Sequence, residues 1–381
     1  AAKSIANYLA RQLGEKVGQK VGYQIKNERK ISPNTVLEIV TEGILTRRLQ
    51  TDPEMNDVGL IIFDEFHERS IHADLALMLA LEIQQMIRDD LMLLVMSATI
   101  DTQQISDYMG GAKVIACPGR AFPVSIEYLD ASQNSNRQSA GDKRAALSRH
   151  VTTALGSILG SDNSGDVLVF LPGQAEINRC MADAKSLFST QANLLFLPLY
   201  GGLSLSQQEQ ALVPDPNGRR RVVFTTNIAE TSLTIAGVRC VIDSGLEKVL
   251  VYDPTSGMTR LETTYISKAS AIQRAGRAGR TQAGVCIRLW NKQKQSGLRD
   301  YQGEEILSTD LSALVLDLLI WGASDYDLIN WLTPPPRPHF DAAKMILQSL
   351  GLIDSEHKMT ILGEHAAQIG LTPRLAVMLL C

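Results

Sequence analysis

No run of eighteen consecutive apolar residues occurs in the 381-residue sequence, so a membrane-spanning helix is not expected. The first residues, AAKSIANYLARQLG, carry neither an initiator methionine nor the basic-then-apolar layout and small-residue cleavage site of a secretory signal. They read as a polar-faced helix, and the chain reads as cut from something longer. Cysteine is scarce: Cys117, Cys180, Cys240, Cys286 and Cys381 lie far apart, without a CxxC pair or a histidine at metal-ligand spacing. This argues against a disulfide framework or a zinc site and points to a reducing, cytoplasmic location. Basic excess is lacking too, since the formal net charge is −4. Any polyanion would have to meet a locally basic surface. No internal repeat or low-complexity tract is evident.

What is present is ample apolar material, 45% of residues, in a chain too long for one compact core. Short apolar runs rich in β-branched residues recur at 58–63, 91–96, 167–171, 221–225 and 238–243. Each leads into a polar or glycine-bearing segment, and most then into a helical pattern such as 73–85. That rhythm predicts an α/β fold of buried parallel strands alternating with helices. Between the second and third runs, residues 131–143 (ASQNSNRQSAGDK) contain no Leu, Ile or Val and form either an interdomain linker or a surface loop. Helical periodicity resumes at Arg144, which favours the linker. After Tyr301 strands become scarce, helical segments dominate and TPPPRP punctuates 333–338, so a smaller helical module is expected there.

In GLIIFDEFHERS an apolar strand ends in Asp64 and Glu65. Side chains at the carboxyl end of a strand in an open parallel sheet project into the crevice where ligands bind. Two adjacent carboxylates there suit metal-assisted phosphate chemistry, with Asp64 holding Mg²⁺, often through water, and Glu65 orienting or deprotonating an attacking water. The competing reading is a solvated acidic turn. LMLLVMSATI is a second strand, ending in Ser97, Ala98 and Thr99. Its hydroxyls can bond the acidic cluster of a neighbouring strand, or simply cap a helix. Roughly thirty residues with an intervening helix separate the two strands, the length of one βαβ crossover.

In ISKASAIQRAGRAGR, Arg274 and Arg277 share a helical face, Gln273 sits beside them and Arg280 falls at the helix end. Guanidinium forks match phosphate oxygens and glycines permit close packing, whereas a plain surface helix would mix in Glu or Lys. VVFTTNIAETSLTI carries Thr225, Thr226, Asn227, Thr231, Ser232 and Thr234. Such groups bond sugar and phosphate without reading base identity, and a capped helix start is the equal alternative. TEGIL at 41–45 proves nothing alone.

Taken in order, these segments resemble the DEAH-box (DEAH/RHA) superfamily 2 ATP-dependent RNA helicases, most closely the bacterial HrpB type. TEGIL matches motif Ib, DEFH motif II, SAT motif III, LVFLPG (168–173) motif IV, TTNIAETSLTI motif V and QRAGRAGR motif VI. LPLYGGLS at 197–204 and the hairpin-like VLVYDPTSGMTRLE are also family-like. The resemblance implies two RecA-like parallel-sheet domains clasping ATP and Mg²⁺, with RNA across both. It divides the chain into a first domain at 1–130 lacking its phosphate-loop strand, a linker at 131–143, a second domain at 144–300, a winged-helix-like module at 301–370 and the start of a further helical domain at 371–381. By the same likeness Glu65, Gln273 and Arg280 are catalytic, Arg280 as an arginine finger. Asp64, Arg277, Ser232 and Thr234 would bind nucleotide, with Asp64 and Glu65 at the Mg²⁺. His67, Ser97 and Thr99 would couple the nucleotide site to the second domain, while Thr41, Gly43, Thr226 and Asn227 touch RNA.

There are departures from the pattern. Phe66 replaces the usual Ala of motif II, as in the HrpB type, and Tyr8 stands where many relatives stack an Arg on adenine; an aromatic ring can also stack. No GxxxxGKS/T occurs anywhere. Without it there is no Lys for the β- and γ-phosphates and no loop of backbone N–H groups. A helicase motor truncated at both ends is therefore expected, the chain by itself being inactive. The alternatives are a non-hydrolysing RNA-binding module and a DNA-directed helicase.

Overall fold

The computed structural model describes residues 2–98, 102–117, 122–129, 140–161, 163–230, 235–253 and 257–380. It divides into two units, one made of Ala1–Val114, Leu250–Arg260 and Gly303–Cys381, the other of Ile115–Val249 and Leu261–Gln302. Of the expected linker, residues 131–139 lie outside the described residues, and 140–143 begin a helix.

The first unit opens with helix α1 (Ala2–Gln12), which sets Ala6 and Ala10 against Val21 and Tyr23 of strand β1 (Val21–Ile25). β1 pairs antiparallel with β2 (Glu28–Lys30) and parallel with β3 (Leu37–Val40). Helix α2 (Glu42–Thr51) follows. Then β4 (Leu60–Phe63) and β5 (Met92–Val95) form a parallel pair joined by helix α3 (Ile71–Met86). Ser70 caps α3 by accepting from the Ala73 N–H. The helix is apolar almost all round, so it needs partners on every side. Ile61 and Phe63 of β4 join it in one core.

The strands at 60–63 and 92–95 depart from the expectation of burial on both faces. Ile61 and Phe63 point inward, whereas Leu60 (42% exposed), Ile62 (43%), Met92 (61%) and Leu94 (41%) face outward. The period-two alternation leaves one face of this pair bare because α3 covers only the other. Helix α4 (Thr102–Tyr108) completes this stretch.

The second unit is a six-stranded, all-parallel sheet. Its elements are β6 (Val124–Tyr128), α5 (Ala140–Leu159), β7 (Asp166–Phe170), α6 (Gln174–Leu187), β8 (Leu194–Leu199), α7 (Leu205–Leu212), β9 (Arg220–Thr225) and β10 (Val238–Asp243). A two-stranded ribbon, β11 (Leu246–Asp253) and β12 (Met258–Tyr265), of which Leu250–Arg260 count with the first unit, precedes α8 (Lys268–Gly276), β13 (Gly284–Arg288) and α9 (Lys292–Ser296). The sheet order is β6-β13-β10-β7-β9-β8. Val167 and Val169 enter one core with α5 and α6, while Leu168 and Phe170 enter the core on the opposite face with α7 and α8. Burial on both faces explains the unbroken apolar run in the sequence. β7 and β10 are neighbours, yet β7 feeds a helix on one face and β10 leads to α8 on the other. Their carboxyl ends therefore bound the topological switch point of this sheet, the usual ligand crevice.

The carboxyl-terminal part of the first unit is helical: α10 (Ser312–Trp321), α11 (Arg337–Ser349), α12 (Ile361–Ile369) and α13 (Pro373–Leu380). Gly322, at φ 90°, ends α10 in the left-handed conformation that glycine adopts freely. Prolines 336 and 338 flank the start of α11, where a missing N–H costs nothing. Leu314, Leu318 and Phe340 pack in the same core as α3.

Candidate functional site

β4 delivers Asp64 to solvent at its carboxyl end, where Asp64 Oδ1 accepts from the Glu65 N–H at 2.9 Å. Glu65 then adopts φ 52°, ψ 33°, a left-handed conformation for a residue with a side chain. Such a residue costs about 1–3 kcal/mol unless its surroundings hold it. The anchor is Phe66, which is 1% exposed, donates its N–H to the Met96 carbonyl at 3.0 Å and meets Phe63 edge-on at 6.1 Å. The Phe in place of the usual Ala is thus a core residue pinning a strained carboxylate turn. His67 is nearly buried. Its Nδ1 accepts from the Ala98 N–H at 3.5 Å, and its Nε2 stands 3.5 Å from Glu65 Oε2 without a hydrogen bond. This links motif II to the end of β5. Ser97 is exposed beside that link, and Thr99 lies outside the described residues.

Motif Ib meets the same loop from another side. Thr41 precedes α2 and Gly43 is in its first turn, both exposed. Between them, Glu42 accepts from the Ser70 hydroxyl at 2.6 Å. Tyr8 is 61% exposed on α1.

In the second unit, Thr226 and Asn227 follow β9, Thr226 half-buried with its N–H on the Leu199 carbonyl and Asn227 exposed. Ser232 and Thr234 lie outside the described residues. α8, capped by Ser267, carries Gln273 half-buried and Arg274 fully buried, and Arg277 and Arg280 follow its end, the first buried and the second exposed. Arg274 lies in the switch-point crevice. Its Nε donates to Glu230 at 2.8 Å, its Nη1 to Asp243 at 3.1 Å and to the Leu246 carbonyl at 3.2 Å, and its guanidinium stacks 5.0 Å from the Phe170 ring. A side chain thus fills the place a ligand takes in an open doubly wound sheet. Arg277 donates to the Glu230 carbonyl and Ser270 to the Glu230 carboxylate.

Glu230 therefore ties motif V to motif VI, a role missed from sequence. Its only signal was an acid standing alone among hydroxyls. Burial opposes charge on Arg274, but Asp243, Glu230 and Glu247 more than offset it and raise its pKa. Burial pushes the Asp243 carboxyl up against the pull of Arg274, and pushes Glu247 up to about 6. Three carboxyls thus face one guanidinium. The glycines of motif VI differ. A Cβ on Gly279 would stand 2.5 Å from the Phe122 carbonyl oxygen, whereas one on Gly276 meets nothing within 4 Å.

No group of three or more potential metal ligands occurs among the described residues. The exposed Asp64 carboxylate nevertheless suits Mg²⁺, which binds through one or two carboxylates, water and substrate phosphate rather than in an all-protein cage.

Residues 150–282 match the helicase conserved C-terminal domain. Over 379 residues the chain is 45% identical to the ATP-dependent RNA helicase HrpB of Escherichia coli, covering 100% of this chain and 45% of that protein. It is 35% identical over 373 residues to the ATP-dependent RNA helicase HrpA of Borreliella burgdorferi, covering 98% and 44%. The crystal structure of the Escherichia coli DEAH/RHA helicase HrpB superposes with a TM-score of 0.88, covering 99% of this chain and 46% of that one. The chain thus spans less than half the length of these relatives. The fold, with its parallel sheets, is that of the DExH-box NTPase and DEAH/RHA helicase structures it matches. More particularly, the chain belongs to the DEAH-box RNA helicase family and is HrpB-like.

Proposed function

We propose that this chain forms most of an ATP-driven, RNA-remodelling motor, in which the carboxylates of motif II and the arginines of motif VI serve Mg-ATP hydrolysis. Asp64 holds the Mg²⁺, which neutralises phosphate charge; Glu65 orients or deprotonates the attacking water. Gln273 and Arg277 serve the γ-phosphate, with Ser232, Thr234 and Tyr8 as further nucleotide contacts, and Arg280 is the finger. His67 with Ser97 and Thr99 reports the state of the nucleotide, while Thr41, Gly43, Thr226 and Asn227 follow the RNA backbone through hydroxyl, amide and main-chain groups that ignore base identity.

What supports this reading most is the strained Asp64–Glu65 turn at a strand end, in a chain 45% identical over 379 residues to an ATP-dependent RNA helicase. The sequence contains no GxxxxGKS/T, so the chain by itself should bind Mg-ATP poorly and hydrolyse it at background. Its activity is measured in a chimera in which it replaces the matching segment of Escherichia coli HrpB. RNA should stimulate ATPase there more than DNA. Glu65→Gln should keep Mg-ATP binding and lose most turnover, because the amide keeps the shape and removes the base. A near-normal rate in that variant would refute the assignment of Glu65.

A further inference from the structure

Past the carboxylate pair, Arg69 closes the other end of the Phe66–Glu68 turn. It too is left-handed, at φ 47°, and it is only 5% exposed. Its Nε and Nη2 donate to the two oxygens of Asp74 at 2.9 Å each, and Nη2 also to Thr333 Oγ1 at 2.8 Å. Nη1 faces Glu304 Oε1 at 3.6 Å, and the guanidinium lies 6.0 Å from the Phe66 ring. The backbone is held from the same quarter: the Arg69 carbonyl accepts from the Glu305 N–H at 3.2 Å, and Glu305 Oε2 accepts from the Ile71 N–H at 3.0 Å. Asp74 belongs to α3, but Glu304, Glu305 and Thr333 come from the carboxyl-terminal part of the unit. A planar fork engaged on several sides cannot swivel without breaking several bonds. Glu65 and Arg69 are the two strained ends of one short turn.

We propose that Arg69 is a positioning residue through which the carboxyl-terminal segment of the first unit holds Asp64 and Glu65 in working geometry. The proposal rests on the assignment of those carboxylates to Mg-ATP. It follows that a ligand displacing Thr333 or Glu304 alters hydrolysis without touching nucleotide.

The test uses the chain itself with Thr333→Val and Glu304→Gln, singly and together, and with Arg69→Lys. One readout is amide hydrogen exchange at Phe66 and Arg69, whose N–H groups donate to the Met96 and Phe66 carbonyls. The other is Mn²⁺ binding followed by water-proton relaxation, with Asp64→Asn marking the part due to the turn. In the double variant, exchange at the Arg69 amide should rise about tenfold or more while α3 keeps its protection. The Asp64-dependent Mn²⁺ affinity should fall about two- to thirtyfold. Arg69→Lys should do the same, since a point charge cannot reproduce the fork; its rescue of both readouts would overturn the proposal. So would unchanged exchange and affinity, or an equal loss of protection along α3, which would make Arg69 part of the core and nothing more. Mn²⁺ binding indifferent to Asp64→Asn would remove the metal assignment instead, and exchange at Arg69 would still decide whether the carboxyl-terminal segment holds the turn.

Discussion

Charge on two side chains distinguishes chemistry from architecture in the second unit. Arg280 is exposed where Arg274 and Arg277 are buried. An arginine finger is worth roughly 10³ to 10⁵ in turnover. In the HrpB chimera, Arg280→Ala should therefore cut RNA-stimulated ATPase by at least about a hundredfold, allowing for partial compensation by Arg277, with little change in ATP affinity. Lys should rescue little. Equal losses in binding and turnover would make Arg280 a ground-state ligand. Glu247 is the opposite kind of residue. Burial pushes its carboxyl up to about 6 from an ordinary 4.5, so the stability it contributes is full below about pH 4.5 and lost as pH rises through 6. The loss amounts to about 2 kcal/mol. Glu247→Gln, always neutral, should match the wild type near pH 4.5 and exceed it by up to about that amount at pH 7.5 in urea unfolding. A difference independent of pH would show that Glu247 does not titrate with folding.

Among elements, motif VI offers the sharpest contrast. Gly279 must lack a Cβ because the Phe122 carbonyl occupies its place, and Phe122 in turn donates its N–H to the Gly279 carbonyl at 2.9 Å. Gly279→Ala should destabilise the chain by roughly 1–3 kcal/mol, the usual cost of overpacking. Gly276 is helical, exposed and unencumbered, so Gly276→Ala should leave stability unchanged or raise it by about 0.5–1 kcal/mol. Thermal unfolding of the two variants checks both signs. If Gly276→Ala is the more destabilising, the packing account of this motif fails. The sequence showed two equivalent glycines in a Gly-Arg repeat. The approach of Phe122 and Val124, more than 150 residues away in the chain, separates them.

For the whole molecule, the bare outer face of β4 and β5 departs from a self-sufficient fold. Leu60, Ile62, Met92 and Leu94 alternate onto one surface, and contiguous apolar patches of this kind drive association. The chain by itself should bind a hydrophobic dye at this face and self-associate with rising concentration. Ile62→Thr with Leu94→Thr should reduce both, with the circular dichroism unchanged; association undiminished in that variant would place the sticky surface elsewhere. Much of this protein was legible in the sequence. Continuous apolar runs announced β7, β9 and β10, because strands buried on both faces admit no polar alternation. Carboxylates at a strand end and a Gly-Arg helix marked the residues on which the proposed chemistry rests, because those groups are rare in such places without a task. β1, β2, β3, β6, β8 and β13 were not read, their runs being short or mixed and their pairing long-range. Composition could not say which arginine of motif VI is buried. That was decided by the connections that leave the neighbouring strands β7 and β10 on opposite faces of the sheet and open a crevice that Arg274 fills, with Glu230 and Asp243 to meet its charge. Nor could spacing show that Arg69 is clasped by residues more than 230 positions later. Local sequence dictates what a segment becomes through its own hydrogen bonds and periodicity. Which charges meet in a low-dielectric interior depends on chain crossings that only the tertiary fold supplies.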